Sequence, residues 1–482
     1  MKSKKRSTGR ESPPEIIVRF RAGVPLPFGP GAAGAGDRSF LEFERWRRSA
    51  RAIARPCFPL LAERVRRASR RVARPRVPLS AIDRFVGVLI PTGADPVRLA
   101  LEASRLRGVE YTAVAPAGGP PPQTPDHTRL QEYLKPRPHA IGAHAAWRLA
   151  GGAGQAVNVC VCDHGFRAFH EDLPAVTIVP PLPQGIPANG EVGTTAFDHG
   201  TEVLGVLAAM NDQKGVTGIS YATNLLFAPV NVSNRKETID LAIASLAAGD
   251  VLVLEMQVTI TPPNGVPFTL PQEHDLAIRE ALKDAARLGI VVVAAAGNGD
   301  TDLGTIEETI NVGGRSWRAR IWDRTGGGFD DSGAIIVGAG LPRDQTRYGS
   351  SNYGNRVDCQ GWGAGIVTTC GKTDSQLRDS YGNWPPPDAC YTKTFGQTSG
   401  ATAMVAGVVA CLQGALKGGG KAPLLPGEVR TLVSDPALGT PQPPQDAAGR
   451  GPIGPLPNLK HLKKLMEARR RRTEPQRKRK DH

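Results

Sequence analysis

The sequence predicts an α/β protein whose core is a parallel sheet with helices on both faces, preceded by a small α+β unit. From residue 157 onward, short continuous apolar runs recur as VNVCVCD, NLLFAPVNV, DVLVLEM, IVVVAAAGN and AIIVGAG. Such runs are typical of strands buried on both faces. Helical patterns lie between several of them, and alternating strands and helices favour a parallel sheet. A separate strand–helix–strand pattern precedes this region.

The N-terminal elements are predicted from their apolar patterns and helix signals. EIIVRFRAG, RFVGVLI and VEYTAVAP are predicted strands, and DPVRLALEASRLRG is a predicted helix. This helix has Asp95 as its cap, Pro96 in its first turn and Gly108 near its end. The segment up to about residue 80 is Arg-rich, with a partly helical course and a loop at PFGPGAAGAG.

The larger unit contains a further predicted helix over residues 273–288. Its apolar stripe consists of Ile278, Ala281, Leu282 and Ala285. In open parallel sheets, reactive groups gather at the carboxyl ends of the strands. Asp163 and Asn298 stand at such ends.

Ser399 is the most informative single residue. It lies in FGQTSGATAMVAG, a glycine-containing turn that runs directly into a small, apolar helix. The unpaired amides and the dipole at a helix N-terminus favour the negative charge that acyl transfer develops on a carbonyl oxygen. Taken alone, Ser399 would more simply be a helix cap.

Three further segments argue against that simple explanation. Asp163 ends a strand in VNVCVCDHG, His199 begins a helix in FDHGTEVLGVLAAM, and Asn298 follows the strand IVVVAAAGN. Asp, His and Ser in this order are one known permutation of the nucleophile triad, and spacings of 36 and 200 residues leave room for the intervening elements. With these four blocks in this order, the chain resembles the subtilisin-like serine proteases, the subtilase family.

The resemblance implies a serine endopeptidase that acts through an acyl-enzyme. His199 would be the general base, because serine needs an adjacent base at neutral pH. Asp163 would fix the tautomer of His199 and stabilise the imidazolium. The side chain of Asn298 and the backbone amide of Ser399 would bind the oxyanion. The expected fold is a subtilisin-like parallel sheet behind a small α+β, ferredoxin-like prodomain.

The resemblance also suggests a domain organisation. We expect a disordered basic start (1–14), a prodomain-like inhibitor and chaperone (15–116), a linker (117–128), a catalytic domain (129–458) and a basic tail (459–482). The linker is indicated by the composition of AGGPPPQTPDH. The expected partners are a protein or peptide substrate and the chain's own N-terminal segment as inhibitor.

The serine block departs from the family pattern at two positions. Gln397 and Ala403 stand where glycine and proline are usual. Loss of the first-turn proline should be tolerated. Gln397 is a greater concern, since a side chain projects where glycine allows close approach.

The segment DVLVLEMQV resembles the family's substrate-pairing strand. This segment would form one wall of the specificity pocket with Glu255, Met256 and Gln257. The opposite wall would consist of Ala295, Ala296 and Gly297. A buried Glu255 would favour a basic substrate residue. The alternative is a carboxylate that is hydrogen-bonded to neighbouring backbone.

Two other classes of function stay open at this point. A catalytically weak or inactive binding protein on the protease fold would be consistent with Gln397 and the altered pocket strand. Nucleic-acid binding would use the basic ends, but no aromatic recognition module accompanies them. Nucleic acid is therefore an unlikely partner.

The net charge of +15 is unevenly distributed. Residues 1–80 hold 20 Lys/Arg against 6 Asp/Glu, and residues 459–482 hold 11 against 3, so the body between them is acidic. The start lacks the apolar stretch of a secretory signal, and no apolar run has transmembrane length. We therefore expect no membrane partner, and a cytoplasmic protein or one exported by a non-classical route.

The seven cysteines do not form a disulfide framework. Cys160 and Cys162 lie on one face of a strand and are expected to be core residues. Cys370 and Cys390 flank a proline-rich stretch and could pair. No cofactor is expected to be required, and Asp330 with Asp331 is too little to assign a structural calcium site.

Overall fold

The computed structural model describes residues 14–26, 28, 37–61, 84–115, 123–136, 138–179, 195–230, 235–261, 267–312, 314–371, 376–444 and 451–461. The predicted basic start, almost all of the loop PFGPGAAGAG, the Arg-rich segment beyond residue 61, the first part of the linker and most of the basic tail lie outside these residues. The chain divides into two compact units, Met1–Pro121 and Pro122–His482.

The first unit contains a four-stranded antiparallel sheet and two helices that lie wholly within the described residues. Its strand order is β2-β3-β1-β4. The elements are β1 (Glu15–Phe20), α1 (Arg38–Ser49), β2 (Ile53–Pro56), β3 (Phe85–Leu89), α2 (Pro96–Ser104) and β4 (Val109–Val114). Among the elements described in full, the β-α-β-β-α-β sequence and the antiparallel strand order match the ferredoxin-like arrangement that the sequence predicts.

Alternating burial produces the core of this unit. In β1, Ile16, Val18 and Phe20 are buried while the residues between them are partly exposed, because side chains alternate across a strand. Phe20 packs edge-on against Phe43 of α1, with ring centroids 4.9 Å apart. The predicted cap of α2 is confirmed, since the Asp95 carboxylate accepts hydrogen bonds from the first-turn amides.

The second unit is built on a seven-stranded parallel sheet with the order β15-β14-β11-β8-β5-β7-β6. Its strands are β5 (Asn158–Asp163), β6 (Val176–Ile178), β7 (Asn224–Pro229), β8 (Val251–Leu254), β11 (Val291–Ala295), β14 (Ile335–Gly340) and β15 (Cys359–Trp362). Three antiparallel pairs complete it: β9 (Gln257–Ile260) with β10 (Phe268–Pro271), β12 (Glu308–Val312) with β13 (Arg315–Ala319), and β16 (Ile366–Cys370) with β17 (Cys390–Phe395).

Helices cover both faces of the parallel sheet, as predicted. The helices of this unit are α3 (Ala143–Ala146), α4 (Thr195–Ala208), α5 (Arg235–Ala244), α6 (Leu276–Arg287), α7 (Gln397–Gly418) and α8 (Pro426–Val433). The inner residues of α4 and α7 share one core with Val161 and Val253. Those of α5 and α6 share the other core with Cys162 and Leu254. Adjacent strand residues therefore face different helix layers.

Helix α6 begins three residues later than predicted. Asp275 caps it by accepting hydrogen bonds from the amides of Ala277 and Ile278, at 2.9 and 3.3 Å. The preceding residues Gln272–His274 form a 3-10 turn. Ile278 and Leu282 of the predicted stripe are buried.

Helix α7 carries Ser399 through the centre of the second unit. Among the described residues it is the one helix long and apolar enough to cross a membrane, and all of its apolar window is buried within the protein. Gly407 shows how closely it packs, since a Cβ there would lie 2.7 Å from the side chain of Ile219.

Candidate active site

Asp163 lies at the carboxyl end of β5, in the middle of the parallel sheet. Its side chain is buried, and the backbone amide of His164 donates a hydrogen bond to Oδ1 at 2.7 Å. The other oxygen, Oδ2, lies 2.7 Å from Nδ1 of His199. A charged or hydrogen-bonded partner therefore engages each oxygen of this buried carboxylate.

His199 projects from the N-terminal part of α4 with 30% of its side chain exposed. Because Nδ1 faces Asp163, the other ring nitrogen is left for the open side of the site. Phe395 packs edge-on against the imidazole, with centroids 5.9 Å apart. The ring is thus fixed by a hydrogen bond on one side and an aromatic contact on another.

Ser399 lies in the first turn of α7, which begins after Gly396. Ser399 and His199 line the same open cleft of about 250 Å³. Both residues are described, and no hydrogen bond joins their side chains. A Cβ on Gly396 would come within 2.3 Å of the carbonyl oxygen of Gly363. The turn before Ser399 thus requires a glycine at this close approach.

Gln397 has a left-handed backbone conformation, with φ of 56°. The family pattern has glycine at this position, and the positive φ explains that preference. A non-glycine residue in this region costs on the order of 1–2 kcal/mol. The amide of Gln397 donates to the carbonyl of Gly363 at 2.8 Å, and its side chain lines the cleft.

Asn298 lies on the turn after β11 and faces the start of α7. Its Oδ1 accepts hydrogen bonds from the backbone amide and the hydroxyl of Thr398, at 3.1 and 2.9 Å. This arrangement uses the oxygen and leaves the amide NH₂ as a donor. The backbone amide of Asn298 donates to Oε1 of Gln257 at 3.0 Å, so one predicted pocket wall is bonded to the residue that follows the other.

The other predicted pocket residues occupy different environments. Ala295, Ala296 and Met256 are buried, and the Met256 side chain packs into the core on the α5 and α6 side of the sheet. Gly297 has φ of 95°, a conformation that favours glycine. A substrate could therefore meet the backbone of Met256 but not its side chain.

Glu255 is the unusual member of the predicted pocket. It is 6% exposed, and neither carboxylate oxygen has a hydrogen-bond partner among the described residues. The alternative of a carboxylate bonded to neighbouring backbone is therefore wrong. Whether Glu255 contacts a substrate stays a prediction.

Two pKa shifts follow from this arrangement. Burial strongly disfavours the His199 imidazolium, but the charge and hydrogen bond of Asp163, with smaller contributions from Glu255 and Glu202, raise the pKa of His199 to about 9. Burial raises the pKa of Glu255 well above its usual range. The His199 charge opposes that rise, and Asp163 adds to it. Three ionisable groups therefore interact within one site.

Sequence reasoning did not identify Asn352, which supports the Asn298 turn. Its side chain is buried and donates to the carbonyls of Ala296 and Thr269, at 2.7 and 2.6 Å. Its oxygen accepts from the amides of Gly299 and Thr301, both at 3.0 Å. Asn352 lies more than 50 residues from each partner, so no local pattern indicated these contacts.

Asp330 and Asp331 are engaged by basic side chains. Asp330 pairs with Arg279 and Lys283, and Asp331 pairs with Arg430. Within the described ranges, no group of three or more His, Cys, Asp or Glu residues could hold a metal ion. A structural calcium ion therefore stays without an assigned site.

Comparisons with known proteins show the family of the chain. Residues 154–452, well over half of the chain, match the sequence model of the Subtilase family. The chain is 30% identical over 280 residues to an intracellular serine protease of Paenibacillus polymyxa, covering 57% of this chain and 71% of that protein. It is also 30% identical over 191 residues to the major intracellular serine protease of Bacillus subtilis (strain 168), covering 38% of this chain and 55% of that protein.

A solved structure shows the same fold. The serine protease of Aeromonas sobria aligns with a TM-score of 0.50 at 20% identity, over 72% of this chain and 68% of that one. The sheet, the helix layers and the sequence matches define a serine endopeptidase, a hydrolase of the subtilisin type. The chain belongs to the subtilase family.

Proposed function

We propose that the chain hydrolyses peptide bonds with Ser399 as nucleophile, His199 as general base and Asp163 as the group that orients His199. The observation that carries this proposal is the 2.7 Å contact between His199 and Asp163 at the cleft that Ser399 also lines. A carboxylate on one ring nitrogen prepares the other to accept a proton.

The reaction would proceed in two halves. Ser399 Oγ would attack the peptide carbonyl while its proton moves to the unoccupied nitrogen of His199, and the carbonyl electron pair would move to oxygen. Collapse of this intermediate would break the C–N bond, and His199 would return the proton to the leaving amine. Water would then repeat the sequence on the acyl-enzyme, releasing the second product and restoring Ser399.

Two donors are available for the oxyanion. The amide NH₂ of Asn298 is left as a donor once its oxygen binds Thr398. The backbone amide of Ser399 lies in the first turn of α7, where amides have no intrahelical acceptor. Such fixed donors stabilise charge that develops in the transition state.

A serine-reactive phosphonate tests this proposal directly. We expect stoichiometric labelling of Ser399, located by mass spectrometry of the digested protein, and loss of both labelling and peptide hydrolysis in Ser399→Ala. Circular dichroism should show the same fold in both proteins, since the substitution removes one oxygen. A wild-type chain that neither reacts nor hydrolyses peptides would instead favour the inactive binding protein.

We also propose that residues 15–116 act as an inhibitor of the second unit, within a protein located inside the cell. The ferredoxin-like connectivity of the first unit and the names of the two bacterial relatives support these proposals. Cutting the chain within residues 117–128 should raise peptide hydrolysis, because a tethered inhibitor acts at high effective concentration. Gel electrophoresis shows when cleavage is complete. Unchanged peptide hydrolysis at that point would contradict inhibition of the second unit by residues 15–116.

A further inference from the structure

A buried carboxyl group with no partner lies beside the proposed triad. Both oxygens of Glu255 are inaccessible to solvent and lack a hydrogen-bond partner in the described residues. Burying a charge without a compensating partner costs several kcal/mol in proteins. The ionised form of this side chain therefore lacks the stabilising contacts that buried carboxylates require.

The sheet geometry directs Glu255 towards the triad. Leu254 pairs with Cys162 in the parallel register, so Glu255 follows β8 next to Asp163 at the end of β5. Its backbone amide donates to the carbonyl of Cys162 at 3.3 Å. Val253 faces the helix layer of α4 and α7, and side chains alternate, so Glu255 projects towards the same layer.

The groups that face Glu255 include one neutral hydroxyl, one imidazole and carboxylates. Asp163 faces it from β5 and His199 from α4, with Ser399 at the start of α7. Glu202 adds a second carboxylate that acts on His199 from α4. Strand β11, Val291–Ala295, is apolar throughout, and the buried Cys162 thiol and the His164 imidazole are further titratable groups at the end of β5.

The charge on Glu255 affects the protonation state of His199. An ionised Glu255 would place a further negative charge beside His199, in addition to Asp163 and Glu202, and would favour the protonated imidazole. An imidazolium cannot accept the proton of Ser399. An ionised Glu255 would also accept the Ser399 hydroxyl as a donor and compete with His199 for it.

We propose that Glu255 is a positioning residue that stays protonated in the active enzyme, so that it adds no negative charge beside His199 and favours the neutral imidazole. This inference rests on the proposed roles of Ser399 and His199. A neutral carboxyl group costs less to bury without a partner than a carboxylate does. It can still contact Ser399 as a hydrogen-bonding group. The raised pKa of Glu255, caused chiefly by burial, agrees with this assignment.

Infrared difference spectroscopy tests the protonation state without any turnover. The spectrum of wild type minus Glu255→Gln at neutral pH should contain a positive carboxylic C=O band, which a carboxylate does not give. Asp172 is a matched control, since it is another buried carboxyl, and its pKa is raised to about 8, mainly by burial. Asp172→Asn should remove its own signal and leave the Glu255 band. Absence of a Glu255 band would overturn the proposal.

The pH dependence of kcat/KM tests the functional consequence. Glutamine resembles a protonated glutamate, so Glu255→Gln should keep kcat/KM within about threefold and leave the acid limb in place. If Glu255 were ionised in the wild type, removal of its charge would move that limb to lower pH by about 1–3 units. Such a movement would overturn the proposal.

Glu255→Ala separates positioning from packing. We expect this variant to lose kcat with little change in KM, because Ser399 loses a polar neighbour, whereas Glu255→Gln retains it. Equal activity of the alanine and glutamine variants would overturn a positioning role. A loss in Glu255→Gln confined to basic peptides would instead assign Glu255 to substrate binding. An inactive wild type that retains the Glu255 band would contradict the proposed function while supporting the protonation state.

Discussion

The side-chain oxygen of Asn298 accepts two hydrogen bonds from Thr398, which lies 100 residues later in the chain. One comes from the backbone amide at 3.1 Å and the other from the hydroxyl at 2.9 Å. Because Thr398 precedes Ser399, the same contact ties the proposed oxyanion donor to the nucleophile turn. The amide of Asn298 cannot rotate without losing both bonds.

Thr398→Val should therefore weaken catalysis while leaving the backbone bond to Asn298 intact. A neutral hydrogen bond contributes about 0.5–1.5 kcal/mol, so we expect a loss of about 2- to 10-fold in kcat with little change in KM. Steady-state kinetics on a peptide substrate measure this effect. Thr398→Ser retains the hydroxyl and should stay close to wild type. A wild-type kcat in the valine variant would show that the backbone bond alone orients Asn298.

Asn298→Ala should lower kcat far more than Thr398→Val, because it removes the donor itself. A loss of about 10²–10³-fold is expected, a range established for subtilisin itself and adopted for this relative. KM should change little, since the donor acts mainly on transition-state charge. Single-turnover kinetics would separate this effect from product release. An unchanged kcat would show that another group donates to the oxyanion.

The acid limb of kcat/KM should report the ionisation of His199. Burial lowers the pKa of His199, and the larger combined effect of Asp163, Glu255 and Glu202 raises it from 6.5 to about 9. Activity requires the deprotonated ring, so kcat/KM should fall as pH decreases through this pKa. If Glu255 is protonated, its charge does not contribute, and the midpoint of the acid limb should lie between pH 6.5 and 9. A midpoint below pH 6.5, measured at constant ionic strength, would contradict the conclusion that Asp163 raises the pKa of His199.

The sequence predicted the fold class because it depends on local patterns. Continuous apolar runs identified the strands of the parallel sheet, and Asp163 lies at the end of β5, as its position after one of these runs predicts. Contacts between distant residues were not predictable in this way. Asn352 supports the turn of Asn298 through four hydrogen bonds to segments that lie 51–83 residues away. The unpartnered state of Glu255 likewise depends on which side chains the fold brings near it.

Gln397→Gly should stabilise the second unit. Gln397 has φ of 56°, and glycine adopts this conformation without the steric cost of a Cβ. After the greater conformational entropy of unfolded glycine is subtracted, we expect a gain of about 0.5–1 kcal/mol in the free energy of unfolding. Gln213, exposed and at φ of 66°, provides the matched control outside the site. A lower free energy of unfolding in Gln397→Gly alone would show that contacts of the Gln397 side chain outweigh the strain.

Cys370 and Cys390 should form a disulfide when the protein is exposed to an oxidant. They lie directly opposite each other in the antiparallel pair of β16 and β17, and their sulfur atoms are 2.9 Å apart. Opposite residues in such pairs have Cα separations within the range that a disulfide allows.

The expected reaction transfers two electrons from the thiols to oxidised glutathione, giving one protein disulfide and two reduced glutathione molecules. It should be slow, because hydrogen bonding to Cys390 and burial raise the pKa of Cys370, and the thiolate is the reactive form.

Thiol titration should find two fewer thiols, and peptide mapping should link the two residues. Closing a loop of about 20 residues should raise the free energy of unfolding by about 2–4 kcal/mol. Cys390→Ser should lose both the link and the stabilisation. An unchanged thiol count in the wild type at high pH, where thiolates form, would contradict the prediction.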